Sequence, residues 1–235
     1  MTRQTGRSSL TTTSGGASVP FETNDALSMF HHLDQHSPHY PERLRHLPAY
    51  QPPAMITALG NLDILKQDNL LALYCSRKCP GALILKLYDY ARALRQQGTT
   101  VIGGFHTPME QECLTILLRG AGNLVICPAR GLEQMRVPSL WQELLDANRL
   151  LLLSPFGEKQ RRVTAALANA RNEFVAALAA QVVIVYAEAG GNTEQLAARV
   201  AQWRTPVFTF DSAANANLLR LGARPLVGTS DVAQV

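Results

Sequence analysis

Residues 169–210, NARNEFVAALAAQVVIVYAEAGGNTEQLAARVAQWRTPVFTF, decide how the chain folds. Over 171–180 the apolar side chains Phe174, Val175 and Leu178 recur at helical spacing, which predicts a helix with Arg171 and Asn172 at its front. Residues 182–186, VVIVY, form an unbroken β-rich apolar run, as expected of a central strand covered on both faces. Ala189-Gly190-Gly191-Asn192-Thr193-Glu194 ends that strand and opens a helix over 194–203, with Asn192 or Thr193 as its cap. Pro206 then restarts the chain as a strand over 207–210. Such a turn leaves backbone N–H groups and a positive helix end facing one crevice, where anions collect.

Upstream the same alternation recurs. Residues 70–74 read as a strand, 81–97 as a helix with Leu83, Leu87, Ala91 and Leu94 on its inner face, and 99–102 as the next strand. Gly103-Gly104-Phe105-His106-Thr107-Pro108 follows, with Thr107 an N-cap and Pro108 the first position of a helix running to residue 119. Strands are expected at 124–127 and 150–153, helices at 140–148 and 214–221, and a strand or loop after Gly222. About six strands alternating with helices predict an α/β fold, a doubly wound, Rossmann-like, mostly parallel sheet with helices on both faces. Residues 1–20, rich in Thr, Ser and Gly, read as a disordered tail. Residues 21–69 read as an extension and irregular lead-in, and 70–235 as the Rossmann-like domain. Of the four histidines at 31, 32, 36 and 39, none has a carboxylate or thiol at ligand spacing, so the segment reads as a surface extension rather than a metal site.

At 235 residues, 46% hydrophobic and 17% charged, the chain can bury one good core. A net charge of +4 permits nucleic acid or phosphorylated ligands without demanding them. Cys75, Cys79, Cys113 and Cys127 lack paired C-x-x-C spacing and read as reduced core thiols of a cytoplasmic protein. No apolar run approaches the ~20 residues that cross a bilayer.

Three loops fall at the carboxyl ends of predicted strands, where ligands bind in such sheets. They bring together Ser76, Arg77, Lys78, Gly103, Gly104, His106, Gly190, Gly191 and Thr193, a set suited to holding phosphate oxygens through backbone N–H groups beside a cation. The chain has no G-x-x-x-x-G-K-[ST] run, no G-x-G-x-x-G fingerprint, no G-x-S-x-G and no zinc-spaced His and carboxylates, which argues against triphosphate hydrolysis and hydride transfer and leaves no metal or cofactor expected.

Taken in order, these pieces resemble the DNA-processing protein A (DprA, also called Smf) family, within the SLOG superfamily of Rossmann-like nucleotide-binding proteins. YPERLRHLP and GNLDIL are similar to the family's lead-in, and Cys75-Ser76-Arg77 stands where it has Gly-Ser-Arg. Gly103-Gly104 is similar to its second glycine turn, ARNEFVAALAAQVVIVYAEAGGNTE to its Arg-Asn-Arg helix, strand and glycine loop, and NANLLRLGARPLVGTSDV to its ending. The chain departs at Cys75, at Phe105-His106-Thr107-Pro108-Met109 in place of Ala-Arg-Gly-Ile-Asp, and at Glu173 in place of the second Arg. Neither a winged-helix domain after Val235 nor a long helical domain before Tyr40 is expected.

The resemblance implies a homodimer that binds single-stranded DNA and hands it to a recombinase, without chemistry of its own. Ser76, Arg77, Gly103, Gly104, Arg171 and Asn172 would then line a pocket for a DNA phosphate or terminal nucleotide. Lys78, Arg161 and Arg162 would add phosphate contacts, and His106 or Phe105 could stack on a base. Two other readings share the crevice. One is a sensor of a small phosphorylated nucleotide, as in other SLOG domains. The other follows from Gly190-Gly191-Asn192-Thr193-Glu194, which resembles the loop of the LONELY GUY-type phosphoribohydrolases and would make Glu194 catalytic, with Arg171 on the phosphate.

Overall fold

The computed structural model describes residues 30–226. The tail at 1–20 and the last residues of the family-like ending lie outside that range.

The lead-in holds β1 (His31–Asp34), α1 (Glu42–His46) and β2 (Met55–Gly60). Next come β3 (Leu71–Tyr74), α2 (Gly81–Gln97), β4 (Val101–Gly103), α3 (Pro108–Leu118), β5 (Leu124–Ile126), α4 (Ser139–Asp146) and β6 (Leu150–Ser154). The second half is α5 (Ala165–Leu178), β7 (Gln181–Ile184), α6 (Asn192–Gln202), β8 (Val207–Phe210), α7 (Ala216–Arg220) and β9 (Arg224–Leu226). All nine described strands form one sheet in the order β1-β2-β6-β5-β4-β3-β7-β8-β9. From β6 to β9 every pairing is parallel, and β1 and β2 add an antiparallel edge. The fold is the expected Rossmann-like α/β sheet.

The chain winds outward from β3 through β4 and β5 to β6, then returns along α5 to place β7 on the other side of β3. Since parallel crossovers are right-handed, this reversal moves the later helices to the opposite face. Burial follows that rule. Leu71 and Leu73 of β3 pack with Leu83, Leu87 and Leu94 of α2 and Leu117 of α3. Ala72 and Tyr74, pointing the other way, pack with Phe174 and Val175 of α5 and Leu196 of α6. The seam between β3 and β7 is the switch point, and their register pairs Tyr74 with Ile184 at the carboxyl edge.

The lead-in is more regular than its sequence suggests. β2 pairs Thr57 with Ser154 and Ala58 with Leu153, although residues 40–61 read as irregular. In β1 only Leu33 is buried, so four residues carry no visible alternation. Gly60 ends β2 at φ +109, with a β-carbon position only 2.3 Å from the Leu150 carbonyl oxygen, so no other residue fits there. Arg43 anchors α1 by donating from Nε to the Ala177 carbonyl at 3.1 Å and from Nη2 to Thr205 Oγ1 at 2.8 Å. Among the described residues no helix is long and apolar enough to cross a membrane, and no three His, Cys, Asp or Glu side chains gather as a metal site. Cys75, Cys113 and Cys127 are buried free thiols, and Cys79 is half-buried.

Beyond the switch point one buried amide holds β7, β8 and the following turn together. Asn215 Nδ2 donates to the Val185 carbonyl (3.0 Å), Thr209 Oγ1 (2.8 Å) and the Phe210 carbonyl (3.1 Å). Asn215→Ala should lower stability by about 2–3 kcal/mol, because it strands three buried acceptors, read as a shift in the urea midpoint. A shift below about 0.5 kcal/mol would show that the network is dispensable.

Candidate functional site

Four backbone segments converge at the carboxyl edge of β3 and β7, and each is tied to its neighbour. The Ser76 N–H donates to the Tyr186 carbonyl at 2.9 Å, and Ser76 Oγ accepts from the Glu188 N–H at 3.1 Å. Ser76 therefore joins the loop after β3 to the loop after β7 and is only 8% exposed. The loops after β3 and β4 share a different tie, the Glu110 carboxylate. It accepts N–H bonds from Cys75 (3.1 Å), His106 (2.8 Å) and Thr107 (3.2 Å). Thr107 Oγ1 accepts in return from the Glu110 N–H, completing a capping box at the start of α3. Burial pushes the Glu110 carboxyl above its ordinary range, while these N–H groups and the Arg171 charge pull it back.

Arg171 enters from α5 and is 3% exposed. Its Nη1 donates to the Cys127 carbonyl at 3.0 Å and its Nε to Asn172 Oδ1 at 2.8 Å. Gly104 makes room for it, since a β-carbon there would lie 1.6 Å from Nη1. Any side chain at position 104 would expel the guanidinium.

Together these segments enclose a cleft of about 290 Å³. Of the residues singled out from sequence, it brings together Ser76, Arg77, His106, Arg171, Asn172, Gly191 and Thr193. Lys78 is exposed on the same loop as Arg77 but does not line the cleft, nor do Gly103, Gly104 and Gly190, of which Gly104 lies against Arg171. Phe105 is buried against the α2–α3 side of the sheet, so of the two stacking candidates only His106 is exposed. The cap of α6 is Gly191, with no side-chain bond, rather than Asn192 or Thr193. The first N–H groups of that helix are therefore left open at the cleft. Arg161 and Arg162 are exposed just before α5, at the same edge of the sheet.

Glu194 does not line this cleft. Its carboxylate accepts from the Gly190 N–H at 2.6 Å and from Asn217 Nδ2 at 2.7 Å, bonds that hold it below the ordinary carboxylate range, the Gly190 contact foremost. A carboxylate so engaged braces the glycine turn and is poorly placed to transfer a proton at Arg171. Glu173, standing where a second Arg was expected, is paired with Arg199. Sequence reasoning missed Glu110, although Thr107-Pro108-Met109-Glu110 spells the capping-box pattern that reveals it. It also missed the small Ala165 and Ala168 that let α5 form one wall.

A larger cavity of about 390 Å³ lies at the opposite, amino ends of β3 and β7. Its charges, Glu42, Arg43, Lys66 and Asp68, are of both signs, and it contains none of the glycine turns. By topology the smaller cleft, at the carboxyl edge of the switch point, is the better ligand site.

The family model described as DNA recombination-mediator protein A matches residues 31–235. The chain belongs to that family. Two solved structures share its fold. DNA processing protein A from Streptococcus pneumoniae aligns with a TM-score of 0.72 at 20% identity, over 89% of this chain and 75% of that one. DNA processing protein A from Helicobacter pylori, whose structure is described for its single-stranded DNA binding mode, aligns with a TM-score of 0.69 at 19% identity, over 85% of this chain and 92% of that one. A comparison with curated proteins finds no match.

If Arg171 organises the cleft, Gly104→Ala should destabilise the protein by about 2 kcal/mol, a fall in Tm of about 4–8 °C, as the buried guanidinium is displaced. An unchanged Tm would mean that Arg171 has an equally good alternative position.

Proposed function

We propose that this chain binds single-stranded DNA, without chemistry, by seating a backbone phosphate in the cleft at the switch point. The observation that carries this reading is Arg171. It is almost wholly buried, lines an open cleft, and has no salt bridge to a carboxylate among the described residues. Burying a cation costs several kcal/mol, and here only the Cys127 carbonyl and the Asn172 amide oxygen, with the nearby Glu110 charge, offset it. A phosphate would supply the missing counter-charge and would also meet the uncapped N–H groups of α6.

Around this seat, Arg77 and His106 stand exposed at the rim and are free to meet the strand as it leaves the cleft. Lys78, on the Arg77 loop, and Arg161 and Arg162, just before α5, are exposed and would extend the electrostatic contact. Membership of the recombination-mediator family supports DNA rather than a free nucleotide as the ligand. We extend this proposal to a cytoplasmic homodimer that passes DNA to a recombinase, the reading that membership of the family supports.

Arg77→Ala should weaken binding of a labelled single-stranded oligonucleotide and make the slope of log K against log salt shallower by about 0.7, the contribution of one phosphate contact on a single strand. Thermal stability should be almost unchanged, because Arg77 is exposed. An unchanged slope would remove Arg77 from the path of the strand. Tight binding of a mononucleotide that single-stranded DNA fails to displace would favour the nucleotide-sensor reading instead.

A further inference from the structure

Cys75-Ser76-Arg77-Lys78-Cys79 puts a cysteine on each side of the two exposed cations in the loop after β3. Cys75 lines the phosphate cleft and is buried, while Cys79, at the entry to α2, is half-buried and does not line it. The two side chains meet. The Cys75 thiol has two acceptors in reach, the Ser76 carbonyl at 3.4 Å and the Cys79 sulfur, and Cys79 in turn donates to the Pro80 carbonyl at 3.7 Å. Burial pushes both thiols above their ordinary range, but at Cys79 the bond from Cys75 pulls back against it. Cys79 is therefore the thiol that solvent reaches and that ionises first, and Cys75 stands directly behind it.

The ends of this loop are fixed and its middle is not. At one end the Cys75 N–H donates to Glu110 at 3.1 Å and the Ser76 N–H to the Tyr186 carbonyl at 2.9 Å. At the other, the Pro80 carbonyl accepts from Leu83 and Ile84 in the first turn of α2. Among the described residues no hydrogen bond or ion pair holds Arg77 or Lys78. A disulfide keeps its sulfurs about 2.0 Å apart, far closer than a hydrogen bond does. Forming one here would draw Cys79 towards the anchored Cys75, and the residues between, with less span to cover, would bulge outward and carry Arg77 off the cleft that it lines.

We infer that Cys75 and Cys79 form a reversible disulfide site that releases Arg77 from the strand when a small disulfide oxidant is present; the effect on binding, though not the bond itself, rests on the phosphate reading above. The Cys79 thiolate attacks one sulfur of the oxidant RSSR, forming Cys79–S–SR and expelling RS⁻, which takes up the proton that Cys79 lost. Cys75 then gives up its proton and attacks the Cys79 sulfur, forming the Cys75–Cys79 bond and releasing the second RSH. The two thiols together lose two electrons, and RSSR gains them. A bond that closes so short a loop gains little from chain entropy, so a thiol reductant reverses it.

The test treats the full chain with glutathione disulfide, blocks the remaining thiols by alkylation, and maps the cysteines by mass before and after a thiol reductant. Two of the four thiols should escape alkylation, with Cys75 and Cys79 the linked pair, and the reductant should restore both. The oxidised protein should bind a labelled single-stranded oligonucleotide about fivefold more weakly at about 0.1 M salt, the size of one lost phosphate contact, with a slope of log K against log salt shallower by about 0.7. Cys79→Ser should bind like the reduced wild type and ignore the oxidant. No disulfide, a mixed disulfide that persists on Cys79, or a bond to Cys113 overturns the inference, as does a Cys75–Cys79 bond that leaves binding unchanged; each leaves the phosphate seat standing. A reduced protein that binds no strand even at low salt overturns the phosphate reading and with it the effect on binding, while the thiol map still decides the bond.

Discussion

A buried, positively charged side chain with no ion-pair partner among the described residues is the constraint around which this molecule is arranged. Arg171 could have been left in water, as most arginines are. Here it is drawn under the β4 loop, where Gly104 has no side chain to obstruct it and the Cys127 carbonyl at the end of β5 accepts its N–H. One guanidinium thus links α5 to the ends of β4 and β5. Its desolvation is only partly compensated within the protein, so the fold holds in place a group whose electrostatic needs an anion can complete.

The remaining ties serve the same geometry. Glu110 holds the loops after β3 and β4 by three backbone N–H groups, and Ser76 holds the loops after β3 and β7. The Gly190 N–H and Asn217 occupy both oxygens of Glu194 and brace the last turn. Of the carboxylates that line the cleft, Glu110 is committed to backbone N–H groups and Glu188 stands exposed, while Arg77 and Arg171 supply the positive charge.

Much of the central sheet was legible in sequence because its signals are local. VVIVY reads as a covered strand and β7 forms there over Gln181–Ile184, Thr107-Pro108 and Gly98 mark helix ends by their own chemistry, and helix α2 falls where its leucine spacing puts it. The edge strands were not legible. β1 buries one side chain, and β2 owes its extended form to pairing with β6, some ninety residues away, which no local pattern reports. In the site, residue types identified which loops meet, but not which side chains face inward. Lys78 looked as suitable as Arg77, and Glu194 was a candidate only for the alternative catalytic reading; the fold leaves both out of the cleft lining. The cap of α6 was misplaced because Asn192 and Thr193 are the commoner capping residues, whereas Gly191 takes that position with its side of the helix left open.

The central claim is that the anion seat lies at the switch point and not at the larger cavity on the opposite edge. The most direct measurement is a titration of the isotopically labelled protein with a short single-stranded oligonucleotide, following backbone amide chemical shifts. The account predicts the largest shifts at Ser76, Arg77, His106, Asn192 and Thr193. Shifts concentrated instead at Tyr40, Arg43, Lys66 and Ala180, with those amides unmoved, would contradict it.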